Sequence, residues 1–139
     1  MKVNRVIICT DGASQGNPGP AAIGATIKDE QGKLVGRISQ RIGRATNNQA
    51  EYRAIIAALE EATRLGAKQV KISSDSQLVV RQINGEYRVK KAALKPLYQQ
   101  VKKLLSSLDS FTITYIPRQQ NQEADKLAHL ALKSLRSKS

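Results

Sequence analysis

Four acidic residues lie at the ends of predicted strands or near the starts of predicted helices, where a role in catalysis or metal binding is favoured over a role in solubility. Asp11 comes two residues after the apolar run at 6–9, and Asp75 comes two residues after a second predicted strand at 70–73. If these runs are neighbouring parallel strands, both carboxylates emerge at the carboxyl edge of the sheet, on strands about 4.8 Å apart. Glu51 and Asp125 lie near the starts of two segments with helical periodicity, beside residues that must be buried. We therefore expect all four carboxylates to meet at one edge of the sheet.

Such a gathering of carboxylates needs a counterion. Two like charges about 5 Å apart at an effective dielectric of about 20 repel by about 3 kcal/mol. Oxygen ligands suit Mg²⁺ or Mn²⁺, whereas zinc prefers Cys and His, of which the sequence has one each. The pattern therefore favours a magnesium or manganese site. The alternative for any one of these acids is a cap at a helix or turn, because acidic residues favour helix N-termini.

The rest of the chain is strongly basic. Among 139 residues, 23 Lys and Arg stand against 11 Asp and Glu, which gives a net charge of +12. Lys and Arg that neutralise phosphates supply most non-specific affinity for nucleic acids, so nucleic acid is the first partner to expect. The alternative is a basic surface that serves only solubility. An acidic metal pocket inside a basic surface is what phosphodiester hydrolysis requires.

Length and composition indicate a single domain over residues 1–139, because no linker or repeat divides the chain. The lone Cys9 cannot form an internal disulfide, no secretory leader is recognisable, and no apolar run approaches the about 20 residues that span a bilayer. We expect a monomeric, cytoplasmic protein that does not associate with membranes. Residues 133–139, which carry alternating Lys or Arg and Ser, are predicted to form a disordered basic tail.

The periodicity of apolar residues places these acids on a mixed α/β fold. Strands are predicted at residues 6–9, 22–28, 33–40, 70–73 and 111–115, and helices at 48–65, 76–84, 93–108 and from 122 onward. The first strand is apolar without interruption, which predicts burial on both faces. Asn121 is predicted to cap the last helix. The element order βββαβααβα indicates a five-stranded mixed sheet flanked by helices.

Four short motifs follow one another along nearly the whole chain. They are TDGAS at 10–14 with GNPGP at 16–20, TNNQAE at 46–51, SDSQ at 74–77, and NQEAD at 121–125. One such motif is a weak signal, but four in order are specific. Together they resemble the type 1 ribonuclease H family. The resemblance implies a ribonuclease H-like fold and a metal-dependent endonuclease that hydrolyses the RNA strand of RNA–DNA hybrids with two Mg²⁺ ions, leaving 5′-phosphate and 3′-hydroxyl ends.

The resemblance also implies roles for individual residues. The family's catalytic, metal-binding carboxylates match Asp11, Glu51, Asp75 and Asp125. Its contacts with the grooves and sugars of the hybrid match Gly12, Asn17, Asn47, Asn48 and Gln77, and its phosphate pocket for the DNA strand matches Arg44 and Thr46. For the asparagines, the alternative is ordinary turn or cap chemistry, because Asn17 precedes a proline and Asn47 or Asn48 can cap a helix.

Two features of the family are missing or shortened. The family commonly carries a histidine in the loop before its last aspartate, and residues 116–121 contain none. Arg118 is the nearest replacement, although a guanidinium cannot act as a base. His129, four residues after Asp125, is interpreted as a bystander outside the site. Some members also carry a basic protrusion, and residues 85–91 are a short substitute for it. This segment either contacts the phosphates of the substrate or is a solvated face.

The sequence leaves rival functions open. One is a binding module for hybrids or double-stranded RNA that keeps the fold but does not cleave; the presence of all four acids disfavours it. Another keeps the chemistry but changes the substrate, as in integrases and junction resolvases, which share related folds. Recognition of the RNA 2′-hydroxyl is favoured by Glu51 together with Asn17, Asn47, Asn48 and Gln77.

Overall fold

The computed structural model describes residues 3–136. In this part of the chain the strands are β1 (Arg5–Ser14), β2 (Gly19–Lys28), β3 (Leu34–Ala45), β4 (Gln69–Ser74) and β5 (Ser110–Tyr115). The helices are α1 (Asn47–Arg64), α2 (Gln77–Ile83), α3 (Lys95–Ser106) and α4 (Gln122–Arg136), with a short 3₁₀ turn at Arg118–Gln120. The predicted element order βββαβααβα is therefore confirmed.

The strands form one five-stranded mixed sheet in the order β3-β2-β1-β4-β5. β1 pairs antiparallel with β2, and β2 pairs antiparallel with β3. On its other side β1 pairs parallel with β4, which pairs parallel with β5. β1 is thus the central strand, and its carboxyl end lies beside that of β4, as the positions of the acids required.

The main core lies between one face of the sheet and helices α1 and α3. Val6 and Ile8 of β1 point into it and are fully buried, as are Tyr52, Ile55 and, at 1% exposure, Leu59 on the inner face of α1. Each such side chain contributes about 1.5–3 kcal/mol by leaving water. The helical spacing of these α1 residues, read from the sequence, sets which face of the helix meets the sheet.

Helix α4 covers part of the opposite face of the sheet, where it packs on β2, β1 and β3. It approaches β2 at Gly24, where an added Cβ would stand 2.2 Å from the Ala124 carbonyl oxygen and 2.5 Å from the Ala128 nitrogen. The cover does not reach the start of β1, so Ile7 is 36% exposed. The prediction that this strand is buried on both faces is therefore wrong, because α4 shields only the later part of β1.

Several boundaries also differ from the predictions. β2 begins at Gly19, and β3 ends at Ala45, because the pairing of these two strands continues to their ends despite the glycines and Pro20. α4 continues to Arg136 and so includes residues 133–136 of the expected tail; residues 137–139 lie outside the described residues. Within residues 3–136, no helix has the length and apolar character needed to cross a membrane.

Candidate active site

The parallel register of β1 and β4 brings two of the acids together. Thr10 pairs with Ser74, so Asp11 and Asp75 follow at adjacent points on the carboxyl edge of the sheet. Carboxylate oxygens of Asp11, Glu51 and Asp75 lie within 4.8 Å of one another. Asp11 is 5% and Glu51 is 8% exposed, so both acids are held where water is scarce.

The start of α1 sets the position of Glu51. Thr46 caps the helix: its hydroxyl accepts a hydrogen bond from the Gln49 backbone N–H at 3.2 Å, and the Gln49 side chain accepts one from the Thr46 N–H at 2.8 Å. The cap is therefore Thr46, and neither Asn47 nor Asn48 provides it. With this end fixed, Glu51 occupies the first turns of α1 on the side that faces β1.

Close packing between β1 and α1 completes this half of the site. The Gly12 N–H donates a hydrogen bond to Glu51 Oε1 at 2.9 Å. A Cβ on residue 12 would lie 2.3 Å from the Ala50 carbonyl carbon, so only glycine lets the helix approach this strand. Gly12 therefore orients Glu51 as well as lining the cleft beside it.

The fourth acid reaches the site from α4. Asp125 follows Ala124, whose carbonyl lies against Gly24 of β2, and Gly24 pairs with Asp11 across the strands. Ligand atoms of Asp11, Asp125 and His129 lie within 4.8 Å of one another. The four carboxylates therefore belong to two overlapping groups that share Asp11, the convergence expected from the sequence.

Asn121 does not cap α4 with its side chain. Its Nδ2 donates to the Thr10 carbonyl oxygen at 2.8 Å and to Asp75 Oδ2 at 3.3 Å, and its Oδ1, though buried, has no hydrogen-bond partner. The residue is 2% exposed and ties the start of α4 to β1 and to one of the acids. The sequence could not distinguish this role from capping, because an amide both donates and accepts.

Replacement of Asn121 by leucine should lower the free energy of unfolding by about 1–3 kcal/mol, because the buried Thr10 carbonyl loses its donor. The measurement is equilibrium unfolding in urea. The matched control is Asn84→Leu: Asn84 also donates through Nδ2 to a backbone carbonyl, that of Ile113 at 3.1 Å, but is itself exposed. Equal losses in both variants would show that the Asn121 bond to β1 has no special weight.

The crowded acids raise one another's pKa. Burial, a hydrogen bond with Asp125 and the charge of Asp75 raise the pKa of Asp11 to about 8. Burial, followed by the charges of Asp11 and Asp75, raises the pKa of Glu51 well above its usual range, against the opposing effect of the Gly12 N–H. In the protein without a cation, Asp11 therefore tends to hold a proton at neutral pH.

These features fit a divalent cation. The donors are carboxylate oxygens, and Asp125 Oδ1 is a buried atom without a hydrogen bond in the described structure. The raised pKa values show that the ionised forms of these acids are poorly stabilised, and Asp125 Oδ1 has no hydrogen-bond donor. A bound cation would supply the positive charge that stabilises them. Asp11, Glu51, Asp75 and Asp125 would hold it.

The acids lie in a cleft of about 450 Å³. Of the substrate-contact residues expected from the sequence, those that line this cleft are Gly12, Asn47 and Asn48, and those that do not are Asn17, Arg44, Thr46 and Gln77. Asn17 is tied to the cleft, because its Oδ1 accepts from the Asn47 N–H at 3.0 Å. Arg44 is exposed at the end of β3, and Gln77 is exposed at the start of α2.

Two further residues stand at the wall of the cleft beside Asp125. His129 Nδ1 lies 3.3 Å and Arg118 Nη2 lies 3.7 Å from Asp125 Oδ1. The interpretation of His129 as a bystander outside the site is therefore wrong as to its position. The available signal was the spacing of four residues, which places His129 and Asp125 on the same side of a helix.

Comparison with known proteins agrees with this geometry. Residues 9–131 match the family described as Reverse transcriptase-like. The chain is 44% identical over 128 residues to Ribonuclease HI of Halobacterium salinarum, covering 92% of this chain and 64% of that protein. It is 43% identical over 129 residues to the Bifunctional protein Rv2228c of Mycobacterium tuberculosis, covering 92% of this chain but 35% of that protein. The chain thus spans less than two thirds of the length of either of these relatives.

Solved structures are similar over almost their whole length. The crystal structure of RNase H1 from Halobacterium salinarum superposes with a TM-score of 0.92 at 44% identity, covering 94% of this chain and 99% of that one. The compost-derived LC11-RNase H1, solved in complex with an RNA/DNA hybrid, has a TM-score of 0.89 at 39% identity and covers 94% of this chain and 98% of that one. The fold, the gathered acids and these similarities together establish that the chain belongs to the ribonuclease H1 family.

Proposed function

We propose that this protein is a metal-dependent endonuclease that hydrolyses the RNA strand of RNA–DNA hybrids, leaving 5′-phosphate and 3′-hydroxyl ends. The observation that carries the proposal is the meeting of four carboxylates in two groups that share Asp11, each with ligand atoms within 4.8 Å. The compost relative solved with an RNA/DNA hybrid supports the choice of substrate. A domain that only binds nucleic acid gains nothing from acids that repel both phosphates and one another.

Each acid has a distinct task in this mechanism. Asp11, common to both groups, would contact both cations, while Glu51 and Asp75 hold one side and Asp125 the other. Two Mg²⁺ ions, for which Mn²⁺ is a substitute, would supply activation of the attacking water and stabilisation of the departing 3′ oxygen. The Gly12 N–H donates to Oε1 of Glu51 and so orients the carboxylate, which would also accept a hydrogen bond from a 2′-hydroxyl.

The surroundings of the cleft suit a hybrid duplex. Asn47 and Asn48 stand beside the acids and offer amide groups to sugars and base edges. Asn48 also lines a second cleft, of about 430 Å³, which Arg88, Lys90 and Lys91 line as well. The two clefts that share Asn48 therefore connect the carboxylates with positively charged side chains. A bound duplex needs both, because its scissile phosphate would meet the cations and its other phosphates would meet basic side chains.

The test is a comparison of substrates under one condition. In Mg²⁺ the protein should cut the RNA strand of an RNA–DNA hybrid and leave a DNA duplex of the same sequence intact, and excess EDTA should stop cleavage. Double-stranded RNA of that sequence should be cut at least about tenfold more slowly, because its second strand lacks the deoxyribose geometry of a hybrid. Product ends are identified by labelling and phosphatase treatment.

The outcomes separate the rival functions. Binding of the hybrid without cleavage in either Mg²⁺ or Mn²⁺ would indicate a binding module. Faster cleavage of a DNA duplex than of the hybrid would indicate the chemistry of integrases or resolvases. We further propose that the protein works as a monomer in the cytoplasm, where the single Cys9 stays reduced.

A further inference from the structure

We propose that His129 is a nitrogen ligand for a divalent cation on the Asp125 side of the site, and that it gives this position a preference for Mn²⁺ over Mg²⁺. This inference rests on the proposed function, because it concerns the same cation site. A nitrogen donor there distinguishes the two cation positions: one has only carboxylates, and the other has carboxylates with an imidazole.

The position of the ring carries the proposal. A nitrogen of His129, an oxygen of Asp11 and an oxygen of Asp125 lie within 4.8 Å of one another, the spacing of ligands around one ion. The group shares only Asp11 with the group that contains Glu51 and Asp75. His129 also lines the cleft that contains the four acids, and its side chain is 48% exposed, so an ion reaches it without rearrangement of the core.

The Nδ1 nitrogen of the His129 ring faces the acids. It lies 3.3 Å from Asp125 Oδ1 and 2.9 Å from the Asp125 carbonyl oxygen. An ion held by Asp11 and Asp125 would therefore meet Nδ1, which would release its contact with the carbonyl. The neutral ring then carries its one proton on Nε2, and the lone pair of Nδ1 binds the ion.

The packing of α4 holds this group in place. The close approach of α4 to Gly24 fixes the helix at Ala124 and Ala128, and Asp125 and His129 directly follow these two residues. Asp125 Oδ1 is buried without a hydrogen bond, and the side chains of His129 and Arg118 face it. Arg118 is 74% exposed and lies at 3.7 Å, so it can yield to an ion.

The chemistry of the donors determines which ion gains. Mg²⁺ requires oxygen ligands and holds its waters tightly, whereas imidazole suits transition metals and Mn²⁺ accepts both donor types. An imidazole at one position therefore raises the affinity of that position for Mn²⁺ and adds little to its affinity for Mg²⁺. The gain is larger for Zn²⁺, because Zn²⁺ binds nitrogen ligands more tightly than Mn²⁺ does.

The experiment measures ion binding by the full chain, without a substrate. Calorimetric titrations of the protein with Mn²⁺ alone and with Mg²⁺ alone are compared for the unmodified chain, His129→Gln and the control Leu130→Gln. Leu130 is the next residue on α4, is 58% exposed, and belongs to neither carboxylate group. In His129→Gln, Mn²⁺ affinity at one position should fall about 10-fold or more. Mg²⁺ affinity should change less than about 3-fold in either variant.

A second measurement identifies the ligand atom directly. The chain has one histidine, so its ring signals in NMR spectra need no assignment by mutation. Addition of Zn²⁺ should move the ¹⁵N chemical shift of one ring nitrogen, and Mg²⁺ should not. Unchanged Mn²⁺ affinity in His129→Gln, or no shift of a ring nitrogen with Zn²⁺, overturns the role of His129 and leaves the nuclease proposal standing. Failure of the unmodified chain to bind either Mn²⁺ or Mg²⁺ overturns both.

Discussion

An Asp11→Asn variant should cleave RNA–DNA hybrids at least about 10³-fold more slowly than the unmodified protein, because the proposed shared ligand of both cation positions is lost. The charge stabilisation that a bound cation supplies in the transition state is several kcal/mol, and each 1.36 kcal/mol corresponds to about a factor of ten in rate. No other residue belongs to both carboxylate groups among the residues described. Loss of Asp11 should therefore weaken both proposed cation positions, whereas loss of any other acid should leave one of them complete.

Single-turnover cleavage in saturating Mg²⁺ measures this effect, and hybrid binding in EDTA measures whether the variant still recognises its substrate. The matched control is Asp109→Asn, which makes the same chemical change at an exposed residue outside the cleft. Binding should persist in both variants, and cleavage should persist only in the control. Turnover by Asp11→Asn within about tenfold of the unmodified rate would contradict the two-cation mechanism.

The same variant should be more stable than the unmodified protein when no cation is present. The pKa of Asp11 is about 8 in the folded protein, whereas that of an aspartate in an unfolded chain is 3.8. As pH rises between these values, the unfolded chain releases the proton while the folded protein keeps it, so the metal-free fold loses stability toward pH 8. Asp11→Asn removes this contribution and should raise the free energy of unfolding at pH 8 by about 0.5–3 kcal/mol, measured in urea with EDTA.

The position of the acids was predictable because it depends on local patterns. Asp11 and Asp75 follow apolar runs that form strands, and parallel pairing brings the ends of such strands together. Glu51 lies at the start of a helix whose apolar stripe is visible in the sequence. These signals act over a few residues each, and the family resemblance supplied the pairing of distant segments that the local signals do not contain.

What the sequence did not reveal depends on contacts between distant elements. The burial of Ile7 is set by how far α4 extends over the sheet, and the role of Asn121 is set by a carbonyl of β1 that lies 111 residues away in the chain. The place of His129 follows from the approach of α4 to Gly24. None of these distances is encoded in the spacing of neighbouring residues, so only the assembled fold reveals them.

Gly12→Ala should damage both stability and catalysis, because the close approach of β1 to α1 positions two of the acids. The new Cβ would lie 2.3 Å from the Ala50 carbonyl carbon and 2.4 Å from the Glu51 nitrogen, so backbone must move away from backbone. We expect the free energy of unfolding to fall by about 3 kcal/mol. Displacement of Glu51 by about 1 Å should slow cleavage about 100-fold.

Gly36→Ala is the matched control, since it adds the same methyl group to another strand of the sheet. Its Cβ would meet Ile27 Cδ1 at 3.2 Å, the far end of a flexible side chain, so we expect a change below about 1 kcal/mol and normal cleavage. Urea unfolding and single-turnover cleavage of both variants give the comparison. If Gly12→Ala behaved like this control, the contact between β1 and α1 would tolerate a side chain, and the alignment of Asp11 with Glu51 would need another explanation.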